Sequence, residues 1–194
     1  EGTFQDIQQK LPELRELGIN TIWLQPIFKT TWGEQGYDVI DYFNIRSDYG
    51  SESDLQNLIK SAHTLEMKVL LDIVINHTSI YHPYAQHSIE YGSTSHYYDY
   101  YQRKIDDAPY SQYYNYYKGF INYFWDELPN LNYDNPEVRN WMMTVCKYWV
   151  EKFDVDGYRF DAVWGVNARL PEFTQNLRLE LKCIKPEVML LAED

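Results

Sequence analysis

Two carboxylates stand at the ends of strand-like runs, where a pair of acids could act on one bond. Asp161 follows the run 155–160, and Glu193 follows the run 188–192. If both runs are strands of one parallel sheet, the two side chains lie at its carboxyl edge, where barrel enzymes keep their catalytic groups. One ionised and one protonated carboxyl group at that edge have the chemistry needed to cleave an acetal such as a glycosidic bond.

The run before Asp161 also places a cation beside it. Side chains alternate along a strand, so Arg159 and Asp161 share one face while Tyr158 and Phe160 share the other. We expect the apolar pair to face covering helices and the charged pair to face a barrel interior. Arg159 would then lower the pKa of Asp161 and keep it ionised, as a nucleophile requires. A purely structural Arg–Asp pair is the alternative that the spacing leaves open.

The same alternation places Glu193 on the inner face together with Met189 and Leu191. Glu193 follows apolar residues and has no adjacent cation in the sequence. Such an environment raises the pKa of a carboxyl group and favours its protonated form. Glu193 is therefore the candidate acid, and Asp161 is the candidate nucleophile.

A third strand-like run, 70–75, carries polar groups at the same expected edge. Asp72 and Asn76 would face inward, where they could simply satisfy Arg159, and His77 follows at the strand exit. His77 could donate to a ligand hydroxyl, although a lone histidine at the start of a loop is more often an ordinary surface residue. No metal centre is predicted, because the histidines from His77 onward lack the spacing of metal ligands.

Apolar periodicity indicates the elements that position these groups, and helical stretches alternate with strand-like runs. In chain order the segments are 4–17, 19–24, 55–65, 69–75, 138–149, 155–160, 171–182 and 188–192. Ser53 with Gln56 resembles a capping box, and Asn135-Pro136 begins a later helix. Alternation of this kind predicts a parallel sheet, and four strands are about half of an eight-stranded barrel. A doubly wound sheet is disfavoured, because no glycine-rich phosphate loop follows any strand.

The alternation breaks between the second and third helix–strand units. Nine tyrosines crowd the segment 97–117, and a structureless loop of this length is uncommon in a compact domain. We therefore predict a small inserted subdomain. The predicted division is 1–77 for the first part of the barrel, 78–134 for the insertion, and 135–194 for the continuation of the barrel.

The amino-acid composition limits the classes of molecule that the protein is expected to bind. The net charge of −12 would repel a phosphate backbone, so nucleic acid is not an expected partner. No run of eighteen apolar residues exists, so no membrane-spanning segment is predicted. The 19 tyrosines and 6 tryptophans could stack on sugars or could line a wet loop surface. Cys146 and Cys183 are predicted to be buried thiols rather than a disulfide, which leaves the cellular compartment undetermined.

Five stretches, in this order, resemble the α-amylase family of glycoside hydrolases. They are 36–38, 72–79, 128–132, 157–162 and 192–193. The resemblance covers essentially the whole chain. It implies the N-terminal part of a (β/α)8 TIM barrel, with an insertion after the third family strand and truncation after the fifth.

The resemblance also implies roles and a substrate. Asp161 corresponds to the nucleophile that forms a covalent glycosyl-enzyme, and Glu193 to the general acid that later activates water. The substrate would be an α-linked glucan or oligosaccharide, and the product would retain the α configuration. The residues implied to bind the sugar or orient the nucleophile are Tyr37, His77 and Arg159. Those implied to support the site are Asp72 and Asn76.

Departures from the family pattern limit these implications. The family's third carboxylate has no counterpart, so we expect the segment alone to be inactive and to need the remainder of the barrel. Asn130 stands where many relatives carry aspartate, a calcium ligand in some; Asn76 could still bind calcium, but no cofactor is predicted. The stretch 162–165 lacks the Lys-His pair common in endo-acting amylases. Linkage preference stays open, and a transglycosylase or a non-catalytic glucan-binding or scaffold relative are the alternatives.

Overall fold

The computed structural model describes residues 2–31, 35–104, 115–124 and 126–193. These residues contain six helices and eight strands, and two short 3₁₀ turns at Gly92–Thr94 and Tyr98–Tyr100. The helices are α1 (Phe4–Glu16), α2 (Glu52–Thr64), α3 (Pro83–Tyr91), α4 (Pro136–Phe153), α5 (Val163–Arg169) and α6 (Pro171–Ile184). The strands are β1 (Thr21–Leu24), β2 (Phe28–Thr30), β3 (Val39–Ile45), β4 (Lys68–Val74), β5 (Asn115–Tyr117), β6 (Phe120–Asn122), β7 (Gly157–Asp161) and β8 (Met189–Ala192).

The described residues form a parallel sheet of four strands in the order β1-β4-β7-β8, and two antiparallel hairpins, β2-β3 and β5-β6. The predicted parallel α/β arrangement is thus confirmed. The four strand-like runs of the sequence correspond to the four strands of this sheet. Nowhere in the described ranges does a helix have the length and apolarity needed to cross a membrane.

The two faces of β7 differ as the alternation predicts. Tyr158 is fully buried on the helix side, where its hydroxyl donates to the carbonyl of Cys146 in α4. Arg159 and Asp161 point to the opposite face. Gly157, with φ of +151°, permits the close pairing with β8, because a Cβ atom there would collide with the carbonyl of Met189. The register of β7 with β8 therefore depends on this glycine.

Several local expectations were wrong. The capping box of α2 is formed by Ser51 and Asp54 rather than by Ser53 and Gln56. Helices α3 and α5 and the hairpin β2-β3 lie where the sequence showed no clear period. Cys146 is buried as predicted, but Cys183 is exposed, because it lies on the outer side of α6.

The segment between β4 and α4 pairs with the residues that directly follow β4. Isolated bridges pair His77 with Asn130 and Tyr101 with Leu131. The tyrosines of this segment that are described pack on one another and on α4; Tyr84 and Tyr97, for example, stack with ring centroids 4.0 Å apart. The remaining tyrosines of 97–117, at positions 105–114, lie outside the described residues. The division at 78 and 134 stays a prediction.

An ion network closes the opposite, amino edge of the sheet. Asp156, which precedes β7, is buried and accepts the Val69 N–H at 2.9 Å. It also contacts His63 Nε2 at 2.7 Å, Lys185 Nζ at 3.0 Å and Lys68 Nζ at 3.1 Å. Burial alone would raise the pKa of Asp156, but these four donors more than offset it and hold the pKa below its ordinary value. The network joins β4, β7 and α2 at the end of the sheet remote from the carboxylates.

Replacing Asp156 by asparagine is expected to lower the free energy of unfolding by about 3 kcal/mol at neutral pH, because the nearly buried ammonium of Lys185 loses this anion. A depressed folded-state pKa contributes stability above the ordinary value of 3.8 and loses it as the pH falls through the folded value. Urea unfolding should therefore show a large difference at neutral pH that shrinks in acid. The exposed Asp134→Asn is the matched control. A difference that persists in acid would contradict this account.

Candidate active site

A single guanidinium binds three carboxylates at the carboxyl edge of the sheet. Arg159 Nη1 lies 2.9 Å from Asp161 Oδ1 and 3.1 Å from Asp72 Oδ1, and its Nη2 lies 2.6 Å from Glu193 Oε1. Strand pairing explains the cluster: Asp72 is in register with Arg159 across β4 and β7, and Glu193 follows directly after β8. The two candidate catalytic carboxylates therefore bind the two amino groups of one side chain.

The charge balance at this cluster overturns one prediction. Burial raises the pKa of Asp161 to about 7, and the carboxylates of Glu193 and Asp72 add to the rise, while Arg159 opposes it. The sequence-based expectation of a lowered pKa was wrong, because it considered only the neighbour two positions away. One cation among three carboxylates leaves an excess of negative charge when all are ionised. This excess of negative charge favours the protonated form of Asp161.

Glu193 occupies a more open position than Asp161. Its side chain is 44% exposed, whereas that of Asp161 is 12% exposed. Glu193 Oε2 accepts the backbone N–H of Ala162 at 2.9 Å, and Ala162 adopts a left-handed conformation with φ of +46°. The expectation that no cation adjoins Glu193 was wrong, since pairing of β7 with β8 brings Arg159 beside it.

Asp72 anchors the other side of Arg159. It is fully buried, and it accepts the Tyr37 hydroxyl at 2.9 Å and the Trp23 indole N–H at 3.2 Å. Burial raises the pKa of Asp72, although Arg159, Tyr37 and Trp23 oppose the rise. Burial and the nearby Asp72 carboxylate also raise the pKa of Tyr37, which keeps its hydroxyl a donor. The structure thus brings Asp72 and Tyr37 together with Arg159.

His77 lies three residues beyond the end of β4 and is 1% exposed, so the alternative that it is an ordinary surface residue does not hold. Its Nδ1 atom faces Asn76 Nδ2 at 3.1 Å, while its Nε2 atom has no hydrogen-bond partner among the described residues. Burial lowers the pKa of His77 to about 3, a shift that the Tyr37 carbonyl opposes and the charge of Arg169 reinforces. The ring is therefore neutral at neutral pH.

The calcium ligands suggested by the resemblance do not fit that ion here. Asn76 Oδ1 accepts Arg169 Nη2 at 2.7 Å, so a guanidinium already occupies the cation side of this amide. Asn76 Nδ2 faces Asn130 Oδ1 at 3.4 Å, which directs a donor at the other amide oxygen. In the portion of the chain that is described, no three His, Cys, Asp or Glu side chains are placed to hold a metal ion.

Several residues around the cluster were not anticipated. The Arg159 guanidinium lies 5.2 Å from the Trp23 ring centroid, and the Phe124 ring lies 5.5 Å from that of His77. Trp164 lies 4.9 Å from Tyr123, next to Phe124. Trp23 falls on the inward face of β1, in register with Leu70, so strand alternation could have identified it. The aromatic residues around His77 come from distant parts of the chain and carried no local signal.

Comparison with known proteins gives a consistent result. Residues 1–190 match the family model described as alpha amylase, catalytic domain. The chain is 37% identical to "Alpha-amylase 3" of Dictyoglomus thermophilum over 197 residues, covering 99% of this chain and 39% of that protein.

Solved structures agree with this match. The debranching enzyme of Nostoc punctiforme superposes with a TM-score of 0.85 at 31% identity, covering 100% of this chain and 39% of that one. The alpha-amylase of Geobacillus thermoleovorans complexed with acarbose gives a TM-score of 0.80 at 32% identity, covering 99% and 40%. This chain therefore spans about two-fifths of the length of each of these three relatives.

Proposed function

Because the chain belongs to the alpha-amylase family, we propose that it is part of a retaining enzyme that cleaves α-linked glucans or oligosaccharides by double displacement. The observation that carries this proposal is the pair of carboxylates, Asp161 and Glu193, bound to the two amino groups of Arg159 at the ends of adjacent strands. A non-catalytic relative would not need both carboxylates in a shared site, and holding them there is costly in charge.

The reaction has two steps with opposite proton transfers. A carboxylate oxygen of Asp161 attacks the anomeric carbon while Glu193 gives its proton to the departing glycosidic oxygen. The carbon–oxygen bond breaks as the Asp161 ester forms, so Glu193 becomes the charged group. Glu193 then takes a proton from water, whose oxygen attacks the same carbon and releases Asp161. Two inversions return the α configuration.

Exposure and contacts support this division of roles. Asp161 is nearly buried and held by Arg159 at 2.9 Å, which suits a group that must attack from a fixed position. Glu193 is 44% exposed, so it can reach both a leaving group and incoming water. The mechanism requires an ionised Asp161 and a protonated Glu193 when substrate is bound.

The side chains beside the carboxylates are suited to hold the sugar at the cleavage point. Tyr37 offers a half-buried ring whose hydroxyl is fixed by Asp72, and such a ring can stack on the apolar face of a pyranose. His77 offers a buried ring nitrogen, Nε2, that makes no hydrogen bond to a described residue. Both side chains would orient the sugar ring without forming or breaking a covalent bond.

The sheet would be part of the N-terminal portion of a (β/α)8 barrel, with the segment 78–134 inserted after β4, which corresponds to the third strand of the family. Its outer strands β1 and β8 are edges of the described sheet, and Trp23 and Leu191 on its inner face are 51% and 46% exposed. Further strands would cover these surfaces and supply the third carboxylate of the family. We accordingly expect no turnover from residues 1–194 alone, and activity measurements belong to the full-length protein.

The anomeric form of the first product tests the proposal. The full-length protein is mixed with an α-1,4-linked or α-1,6-linked oligosaccharide, and proton NMR spectra are recorded before mutarotation. Appearance of the α-anomer first is expected. Initial release of the β-anomer would contradict double displacement, and absence of cleavage with retained glucan binding would favour the non-catalytic alternative. Longer oligosaccharides in the same spectra would indicate transfer rather than hydrolysis.

A further inference from the structure

Four side chains form a closed ring of hydrogen bonds behind His77. Arg169, at the end of α5, donates to Asn76 Oδ1 at 2.7 Å and to Gln102 Oε1 at 3.3 Å. Asn76 donates to Asn130 Oδ1 at 3.4 Å, and Asn130 donates to the same Gln102 oxygen at 3.0 Å. The ring connects the end of β4 with the segment that follows it and with α5.

The chemistry of arginine gives this ring a single direction. A guanidinium has N–H donors and no acceptor, so the Asn76 atom that faces Arg169 must be the amide oxygen. The Asn76 amide nitrogen must then face the opposite way, toward His77 Nδ1 at 3.1 Å and toward Asn130. If the amide were reversed, an NH₂ group would lie 2.7 Å from a guanidinium N–H, and two donors would oppose each other.

The orientation of the amide determines which nitrogen of the imidazole carries the proton. An N–H donor pointing at Nδ1 requires Nδ1 to be the acceptor, and in a neutral imidazole the other nitrogen then carries the hydrogen. We infer that Arg169 is a positioning residue that fixes the tautomer of His77 through Asn76, so that Nε2 carries the ring proton and can donate it to a ligand.

Close packing holds Asn76 in place. Gly165 in α5 passes so near that a Cβ atom there would lie 2.5 Å from Asn76 Oδ1 and 2.5 Å from Tyr123 Cε2. The Arg169 guanidinium also lies over the face of the Tyr123 ring, 5.1 Å from its centroid, and makes a cation–π contact with it. Asn76 is fully buried. The amide therefore has neither the space nor a water-facing side that would let it rotate.

The consequence concerns the ligand that the site selects. Nε2 has no hydrogen-bond partner among the described residues, although the Tyr37 carbonyl lies near enough to the ring to raise its pKa. An unmade hydrogen bond at a buried group is unfavourable. The opposite tautomer would present a lone pair and would call for a donor instead. On the proposed function, on which this step rests, the acceptor is a hydroxyl oxygen of the bound sugar. Arg169 would thus influence sugar recognition without contacting the sugar.

Nitrogen-15 NMR of histidine-labelled full-length protein tests the tautomer directly, without substrate. The His77→Gln variant identifies the signals of this residue. We expect Nε2 to show the shift and long-range couplings of a protonated ring nitrogen, and Nδ1 those of an unprotonated one. A proton on Nδ1 of the wild-type ring would overturn the inference. The tautomer is read from the wild-type spectrum, and the variant serves only to assign the His77 signals.

Two substitutions test the route through Asn76. Asn76→Asp keeps the shape and still accepts from Arg169, but its carboxylate presents an acceptor to Nδ1, so we expect Nδ1 to become protonated. Arg169→Met removes the donor, and we expect the single tautomer to be replaced by a mixture. The exposed Arg178→Met is the matched control and should leave both shifts unchanged. An unprotonated Nδ1 in Asn76→Asp, or one intact tautomer in folded Arg169→Met, would refute the inference.

Kinetics separate this inference from the proposed function. We expect Asn76→Asp and Arg169→Met to lower kcat/KM for an α-linked glucan by roughly 10-fold to 100-fold, as for loss of one ligand hydrogen bond. Arg169→Lys, which can still donate to Asn76, should recover part of the loss and the wild-type tautomer. If the tautomer is as inferred but no glucan is cleaved, only the proposed function fails. If glucan is cleaved with the proton on Nδ1, only this inference fails.

Discussion

Replacing Asp161 by asparagine is expected to reduce kcat on α-linked glucan by roughly 10⁴-fold to 10⁶-fold, the range seen when a covalent nucleophile or its activating partner is removed. Asparagine keeps the shape of the side chain but cannot form the glycosyl ester. Steady-state rates of reducing-sugar release from the full-length protein measure the loss. Asp134→Asn, an exposed change of the same chemistry, should leave the rate unchanged.

The same substitution should not harm the fold. Burial raises the pKa of Asp161 to about 7 from an ordinary value of 3.8, so the protonated carboxyl contributes stability that is full below 3.8 and lost as the pH rises through the folded value. Asparagine resembles the protonated acid at every pH. The variant should therefore melt at least as high as the wild type in mildly alkaline buffer. A lower melting temperature there would show that the ionised carboxylate stabilises the fold.

The variant Asp161→Ala, assayed with added azide, distinguishes whether Asp161 is the nucleophile or the general acid. Asp161→Ala leaves space for azide, which can attack the anomeric carbon once and give a product of inverted, β configuration. If Asp161 were instead the general acid, azide would replace water in the second step and give the α-azide. The anomeric configuration of the sugar azide, read by proton NMR, thus decides which of the two carboxylates carries out which step.

Glu193→Gln should lower kcat/KM on natural glucans by roughly 10²-fold to 10⁴-fold, the usual contribution of a general acid. Glutamine cannot supply a proton to the departing sugar oxygen, so the loss depends on the leaving group. With α-glucosyl fluoride, whose fluoride needs little protonation, the first step should proceed at nearly the wild-type rate. The measurement is the ratio of kcat/KM values for the two substrates.

The exposed Glu187→Gln, in the turn before β8, is the control and should alter neither substrate's kinetics. Equal losses on glucan and on the fluoride would refute the acid role, because they would indicate a contact made to the sugar rather than to the leaving group. Addition of azide to Glu193→Gln should yield a product of retained configuration, in contrast to Asp161→Ala.

Much of the scaffold followed from local patterns in the sequence. The helix after Asn135-Pro136 and the four strands of the sheet were predicted because apolar runs and caps act over neighbouring residues. Helix α3 was missed because its sequence is rich in polar and aromatic residues, and its Tyr84 ring packs against Trp141 of α4, a contact that local periodicity does not show. The cap of α2 was misplaced because the residue that forms the capping box with Ser51 is an aspartate, Asp54, whereas the prediction relied on a glutamine, Gln56.

The composition of the candidate site was predicted better than its electrostatics. Strand alternation placed Arg159 and Asp161 on one face, as observed. It could not show that one guanidinium also meets Glu193, since that contact joins positions 34 residues apart through pairing of β7 with β8. Arg169 lies 93 residues from Asn76 in sequence, and nothing in its own helix distinguished it from an exposed arginine. The charge balance of the site and the direction of its hydrogen bonds depend on contacts between residues that are distant in sequence, so local patterns do not predict them.

The closed ring around Arg169 also restricts how this sequence can diverge. Each of the four side chains must present a hydrogen-bond donor or an acceptor that matches its neighbour. If a substitution exchanges donor for acceptor at one position, two donors or two acceptors face each other. Asn76, Gln102, Asn130 and Arg169 would consequently be replaced in concert over evolutionary time. Exposed residues such as Arg178 can be substituted independently. We therefore expect correlated substitutions at the four positions of the hydrogen-bonded ring in related sequences.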